Sequence, residues 1–108
     1  MHIDRLQEEH EMLVTMILEE EEDVINTHRT SLDTLVESVK EQMNMLTDVD
    51  QPGSDIQNYV TTLKYILSKN IRSMMALQRK VESFDKHLKD EAILSNNYSE
   101  KAKLERYN

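Results

Sequence analysis

The run Val49-Asp50-Gln51-Pro52-Gly53-Ser54 constrains this chain more than any other stretch. It holds the only proline and the only glycine among 108 residues, side by side near the middle of an otherwise helix-forming sequence. Pro52 has no amide hydrogen and crowds the preceding turn, so a helix arriving from the N-terminal side has to stop. Gly53 accepts the left-handed backbone that a tight reversal needs. Ser54 and Gln57 follow in S-x-x-Q spacing, a capping box in which each side chain satisfies a free backbone donor at a helix start. The expected fold is all-α: two long helices in an antiparallel helical hairpin, about 3–48 and 54–94, closed by a turn at 50–53.

A single Phe, four Tyr and no Trp leave little from which to build a compact globular core. Leu, Met, Val and Ile carry the apolar content beside abundant charge, the balance of a coiled coil or a helical hairpin. No stretch of about eighteen apolar residues is present, so no membrane-spanning helix is expected. Met1-His2-Ile3-Asp4 lacks the basic end and apolar run of a secretory signal. Cysteine is absent, which excludes disulfides and thiolate metal sites. The net charge of -8 divides unevenly: residues 1–53 hold fourteen acids and three bases, residues 54–108 seven acids and ten bases. The two helices are therefore opposite in sign, and the long-range field favours their docking. Exposed ion pairs contribute only about 0–1 kcal/mol each, so apolar burial has to drive the pairing.

The apolar seam of the first helix reads Ile3, Leu6, His10, Leu13, Ile17, then resumes as Ile25, His28, Leu32, Leu35, Val39, Gln42 or Met43, Leu46 and Val49. The step from Ile17 to Ile25 is eight rather than seven, and it falls in the acidic run Glu19-Glu20-Glu21-Glu22-Asp23. Such a skip shifts a seam around its helix, which marks 1–18 as an N-terminal extension packing differently from 25–49. In the second helix Ile56, Val60, Leu63, Leu67, Asn70, Met74, Leu77, Val81, Phe84 and Leu88 alternate by four and three, a strict heptad. Tyr59 and Ile66 widen its stripe, which predicts burial by more than one neighbour. The organisation expected is thus 1–18 as an extension, 19–94 as the hairpin and 95–108 as a charged, partly helical tail, with a helix end near Ser95-Asn96-Asn97. A hairpin puts Val49 near Ile56, Leu46 near Val60, Val39 near Leu67 and Leu32 near Met74. It still leaves much apolar edge exposed, and a homodimer forming a four-helix, coiled-coil arrangement covers that edge.

No residues are set out for catalysis. With Gly53 the only glycine, no phosphate-binding loop can be written, and long helices offer no concave pocket. His10, His28 and His87 follow Gln7, Ile25 and Phe84 at the spacing where a di-iron bundle needs glutamates, so no metal is expected. Met43, Met45, Met74 and Met75 lie at or beside the seams, where methionine fills irregular gaps. Asn70 in the seam is a candidate for fixing register. On the back of the second helix Arg72, Arg79 and Lys86 recur every seven residues, with Lys69 and Lys89 nearby. This basic stripe is the candidate outward contact, suited to an acidic protein surface rather than nucleic acid, since few aromatics interleave it.

The stretch from Glu19 to Leu94 resembles the tail of the microtubule-depolymerising kinesins of the kinesin-13 family. The residues that carry the resemblance are E-E-E-E at 19–22, H-R at 28–29, V-D-Q-P-G-S at 49–54, Ile56, Tyr59-Val60, Leu63 and Ile66-Leu67. Lys69, Leu77-Gln78, Phe84, Leu88-Lys89, Glu91 and Ile93-Leu94 extend it. The resemblance implies a segment following a motor domain that would hold the ATP site and the tubulin-binding loops. It implies roles in homodimerisation, in contacting the motor domain to restrain it, and in binding regulatory or targeting proteins. It also implies association with microtubules or the spindle in the cytoplasm through the parent protein. The segment itself is expected to be non-enzymatic, without cofactor, nucleic acid or membrane contact. The rival reading is a stand-alone coiled-coil scaffold or adaptor unrelated to motors.

Overall fold

The computed structural model describes residues 2–107, with side chains for all of these except 2, 3, 98, 102 and 105–107. It is an all-α hairpin of two helices, α1 (His2–Val49) and α2 (Ile56–Tyr107). The reversal lies where the proline and glycine require it. Gly53 has φ +79°, and it is the one residue with positive φ among those described. The amides of Asp50 and Gln51 bond back to the carbonyls of Leu46 and Asp48, and that of Ser54 to Gln51. This winds the end of α1 into the turn.

The caps differ from the S-x-x-Q expectation. Ser54 Oγ donates to the Val49 carbonyl at 2.9 Å and so closes the C-terminal end of α1. Asp55 caps α2 instead: its carboxylate accepts the Asn58 amide at 3.1 Å. α2 therefore starts two residues later than expected. Asp competes on equal terms with Ser as an N-cap, and the Ser54 hydroxyl is already engaged with the incoming helix. α2 also continues through Ser95-Asn96-Asn97 to Tyr107. The helix-propensity deficit of those three residues is only a few tenths of a kcal/mol each.

Two compact units form along the hairpin, one from residues 26–79 and one from 1–25 with 80–108. In the first, Ile66 is 3% exposed and Ser38 7%; in the second, Ile17 is 8% exposed. The buried and half-buried residues of α1 include Leu13, Ile17, Glu20, Val24, Thr27, Ser31, Thr34, Ser38, Gln42, Met45 and Val49. The expected seam is thereby corrected. Ile17, Val24, Ser31, Ser38 and Met45 follow one another by seven, so the eight-residue skip disappears. It arose from stepping between two parallel stripes one residue apart. Ile25, Leu32, Leu35, Val39, Met43 and Leu46 belong to the other stripe and are exposed, as is His28. Ile3 lies outside the described side chains. In α2 the inward set is Tyr59, Leu63, Ile66, Asn70, Ser73, Leu77, Phe84, His87, Glu91 and Leu94. Ile66, expected only to widen the stripe, is its most buried member. Small residues such as Ser31, Thr34, Ser38 and Ser73 occupy much of this interior, and small side chains allow close helix approach.

Polar pairs bridge the helices within each unit. In unit 1–25/80–108, His87 Nδ1 lies 2.6 Å from Glu20 Oε2 and His10 Nε2 lies 3.0 Å from Glu91 Oε1. Lys80 reaches Asp23 at 3.0 Å in the same unit. In unit 26–79, Asn70 Nδ2 donates to Ser38 Oγ at 2.7 Å, and Gln42 Nε2 donates to the same oxygen at 3.1 Å. Asn70→Ala removes the inter-helix donor from a buried hydroxyl. The expected loss is about 1–3 kcal/mol, read as a lower urea midpoint with unchanged slope. A variant as stable as the parent would show that this layer does not hold the hairpin's register.

Candidate interaction surface

The interior stripe is matched by a second, exposed one. Leu18, Ile25, Leu32, Val39 and Leu46 are seven apart on α1 and all exposed. Val60, Leu67, Met74, Val81 and Leu88 are seven apart on α2, also exposed. A seven-residue period keeps such residues on one side of a helix. Of the residues expected in helix-seam or dimer packing, the structure brings Leu63, Leu77 and Phe84 inside the single hairpin and half-buries them. It leaves Leu32, Leu35, Val39, Leu46, Ile56, Val60, Leu67, Met74, Val81 and Leu88 outside. The strict heptad read along α2 thus alternated between two surfaces.

Within unit 26–79 the two exposed stripes share one side. On α1 the stripe lies one residue past the inward positions Ser31, Ser38 and Met45; on α2 it lies four residues past Leu63 and Asn70. Both steps turn the same way around a right-handed helix, and the helices run in opposite directions, so the two stripes face together. Val36 and Met43 broaden the α1 stripe, and Ile71 and Met75 the α2 stripe; all four are exposed. About ten such side chains, each roughly half open, present on the order of 900 Å² per copy, close to the ~800 Å² that each partner buries in a stable interface. Contiguous apolar patches larger than a few hundred Å² mark interaction sites.

The opposite side of this unit is charged. Asp33, Glu37 and Glu41 from α1 line a groove of about 360 Å³ with Tyr65 and Lys69 from α2, above Ser38 and Asn70. The basic stripe is therefore partly compensated. Lys69 stands among these carboxylates. Lys86 pairs with Asp90 at 3.0 Å and Lys89 with Asp85 at 2.8 Å, both within α2. The Asp85 hydrogen bond, reinforced by its charge, raises the Lys89 ammonium above the usual lysine range. Arg72 and Arg79 are exposed, and the ion pairs among the described residues do not involve them. Among the described residues no group of three or more His, Asp or Glu is placed to hold a metal ion, and no helix is long and apolar enough to cross a membrane.

The class that the fold defines is an all-α helical hairpin with an exposed apolar stripe on each helix. Comparison with known proteins makes this specific. The chain is 45% identical over 82 residues to kinesin-like protein KIN-13A of Oryza sativa subsp. japonica, covering 76% of this chain. It is 37% identical over 78 residues to kinesin-like protein KIN-13B of Arabidopsis thaliana, covering 72% of this chain. The chain is thus related to the kinesin-13 family through this helical segment. It spans about a tenth of the length of these curated relatives, 10% and 11% respectively. No family model and no solved structure matches it.

Proposed function

We propose that this segment is a non-catalytic dimerisation and protein-interaction element of a kinesin-13-like microtubule depolymerase, with the cytoskeletal setting that this parentage carries. The observation that supports the pairing role is the exposed seven-residue apolar period on both helices. Among the described residues each unit buries one isoleucine, so an isolated two-helix layer has little apolar stabilisation of its own. Pairing through the exposed stripes supplies the missing burial, at about 1.5–3 kcal/mol per large side chain covered. Two copies carrying different affinity tags, expressed together, are expected to co-purify through either tag. Recovery of each tag alone would contradict pairing.

Arg72 and Arg79 are seven apart and exposed, and they offer an acidic surface, such as one on the motor domain or on a targeting protein, two bidentate donors. Arg72→Glu with Arg79→Glu is expected to leave helicity and mass unchanged. It should weaken binding to a purified kinesin-13 motor domain about tenfold at low salt, and less at high salt, where the field is screened. Equal affinity of parent and variant at low salt would remove these arginines from the contact.

A further inference from the structure

We infer that the groove on the charged side of unit 26–79 holds a basic amphipathic helix of about four turns from a partner protein. This goes beyond the pairing proposed above and leaves the exposed apolar face free for it.

The groove extends past its central depression. That depression, of about 360 Å³, is lined by Ser38 and Glu41 from α1 and by Tyr65, Ile66 and Lys69 from α2. A second one, of about 180 Å³, is lined by Met45 and Asp48 from α1 and by Asn58, Tyr59 and Thr62 from α2. Each of these five stands seven residues nearer the turn than its counterpart in the first. A seven-residue step returns to nearly the same side of a helix, about 10 Å further along. The two depressions are therefore one groove that repeats by the heptad. From Asp33 to Asp48 it runs about 22 Å. Its floor is closed: Ser38 and Ile66 are buried, and Thr34, Met45, Tyr59 and Thr62 are half-buried. A furrow between two helices with an apolar and small-residue floor is the slot that a third, amphipathic helix fills.

Charge selects the occupant. Unit 26–79 is balanced, with six acids and six bases. Five of the acids line the groove, Asp33, Glu37, Glu41, Asp48 and Asp55, and one of the bases does, Lys69. The other bases lie further round their helices. From Ile66, Lys69 is about 60° around α2, Arg72 about 120°, Arg79 about 140° and Lys64 about 160°. From Ser38, Lys40 is about 160° around α1 and Arg29 about 180°. Arg72 is on the groove's flank of α2, so it reduces the negative excess without cancelling it. The ion pairs among the described residues engage only Glu37 of the five acids, with Lys40 at 3.4 Å on the same helix. A helix with lysines or arginines along one flank meets the carboxylates of α1 over the whole groove. On the other wall Tyr65 is 63% exposed, and a basic side chain packs on its ring.

The probe is a fluorescein-labelled helix of about sixteen residues, built from Ala, Leu and Lys with lysines seven apart on one flank. Its affinity is read by anisotropy at low salt and its position by amide shifts in nuclear magnetic resonance. Shifts at Thr34, Ser38, Thr62 and Ile66 are expected, with Val39 and Leu67 on the apolar face unmoved. Glu41→Lys with Asp48→Lys should weaken binding about tenfold and leave helicity and mass as in the parent. A probe of the same charge broken by a central proline should bind at least about tenfold more weakly. Absent binding, equal affinity for parent and variant, or shifts confined to the acidic run 19–23 or to the apolar face overturn the site. Equal binding of the broken probe overturns a helix as the occupant.

Discussion

Leu63→Asp is expected to remove most of the helical circular dichroism of residues 26–79. Leu63 points inward beside Ile66, the most buried side chain described. The substitution forfeits about 1.5–3 kcal/mol of apolar burial and places an unpaired carboxylate in the seam, which adds a further few kcal/mol. A unit of this length has a total stability on the order of 3–8 kcal/mol, so the loss approaches the whole. The checks are the 222 nm signal and the urea midpoint at matched concentration. A variant with the parent's spectrum and midpoint would mean that the inward stripe does not hold the helices together.

Leu67→Asp, one turn further along α2, should behave differently. Leu67 belongs to the outward stripe and is 45% exposed. The carboxylate it introduces stays solvated in a single hairpin and is buried only when copies pair. The loss of about 1.5–3 kcal/mol occurs twice in a symmetric pair, which raises the dissociation constant on the order of 10²–10⁴-fold. At high protein concentration the helical spectrum should persist, whereas at low concentration the variant should be monomeric where the parent is not. The sequence reading placed Leu63 and Leu67 in a single seam; their separation into two phenotypes is the sharpest consequence of the fold. Equal loss of helicity in both variants would contradict it.

The turn was legible because its chemistry is local. Pro52 ends a helix wherever it stands, and Gly53 alone tolerates φ +79° without strain. The hairpin itself followed from that corner and from the helical periodicity on either side of it. The cap was misread, since Ser54 and Asp55 are equivalent candidates until the carbonyl of Val49 claims one of them. The interior of α1 was misread for a more general reason. Hydrophobic periodicity locates apolar stripes but does not say which of two stripes faces the nearer helix. The hairpin took Val24, Thr27, Ser31, Thr34 and Ser38 inside. There small side chains permit close approach, and Ser38 finds hydrogen-bond donors in Asn70 and Gln42.

The basic stripe illustrates the same limit. Arg72, Arg79 and Lys86 are equivalent by their seven-residue period; the acids four residues away, Asp90 and Asp85, single out Lys86 and Lys89, and the structure closes both pairs. The His–Glu bridges of the second unit carried no local signal, because His10 and Glu91 are 81 residues apart, and Glu20 and His87 are 67 apart. Antiparallel pairing around the corner at 50–55 is what brings them together.

A paired hairpin differs from a lone one in whether the outward leucines, valines and methionines are covered in solution. Sedimentation equilibrium of the intact chain at micromolar concentration tests this most directly. The predicted result is a mass twice the chain's 12.7 kDa, falling toward the single-chain value only on strong dilution. A single-chain mass throughout the concentration range, with full helicity, would show that the exposed stripes stay open to water.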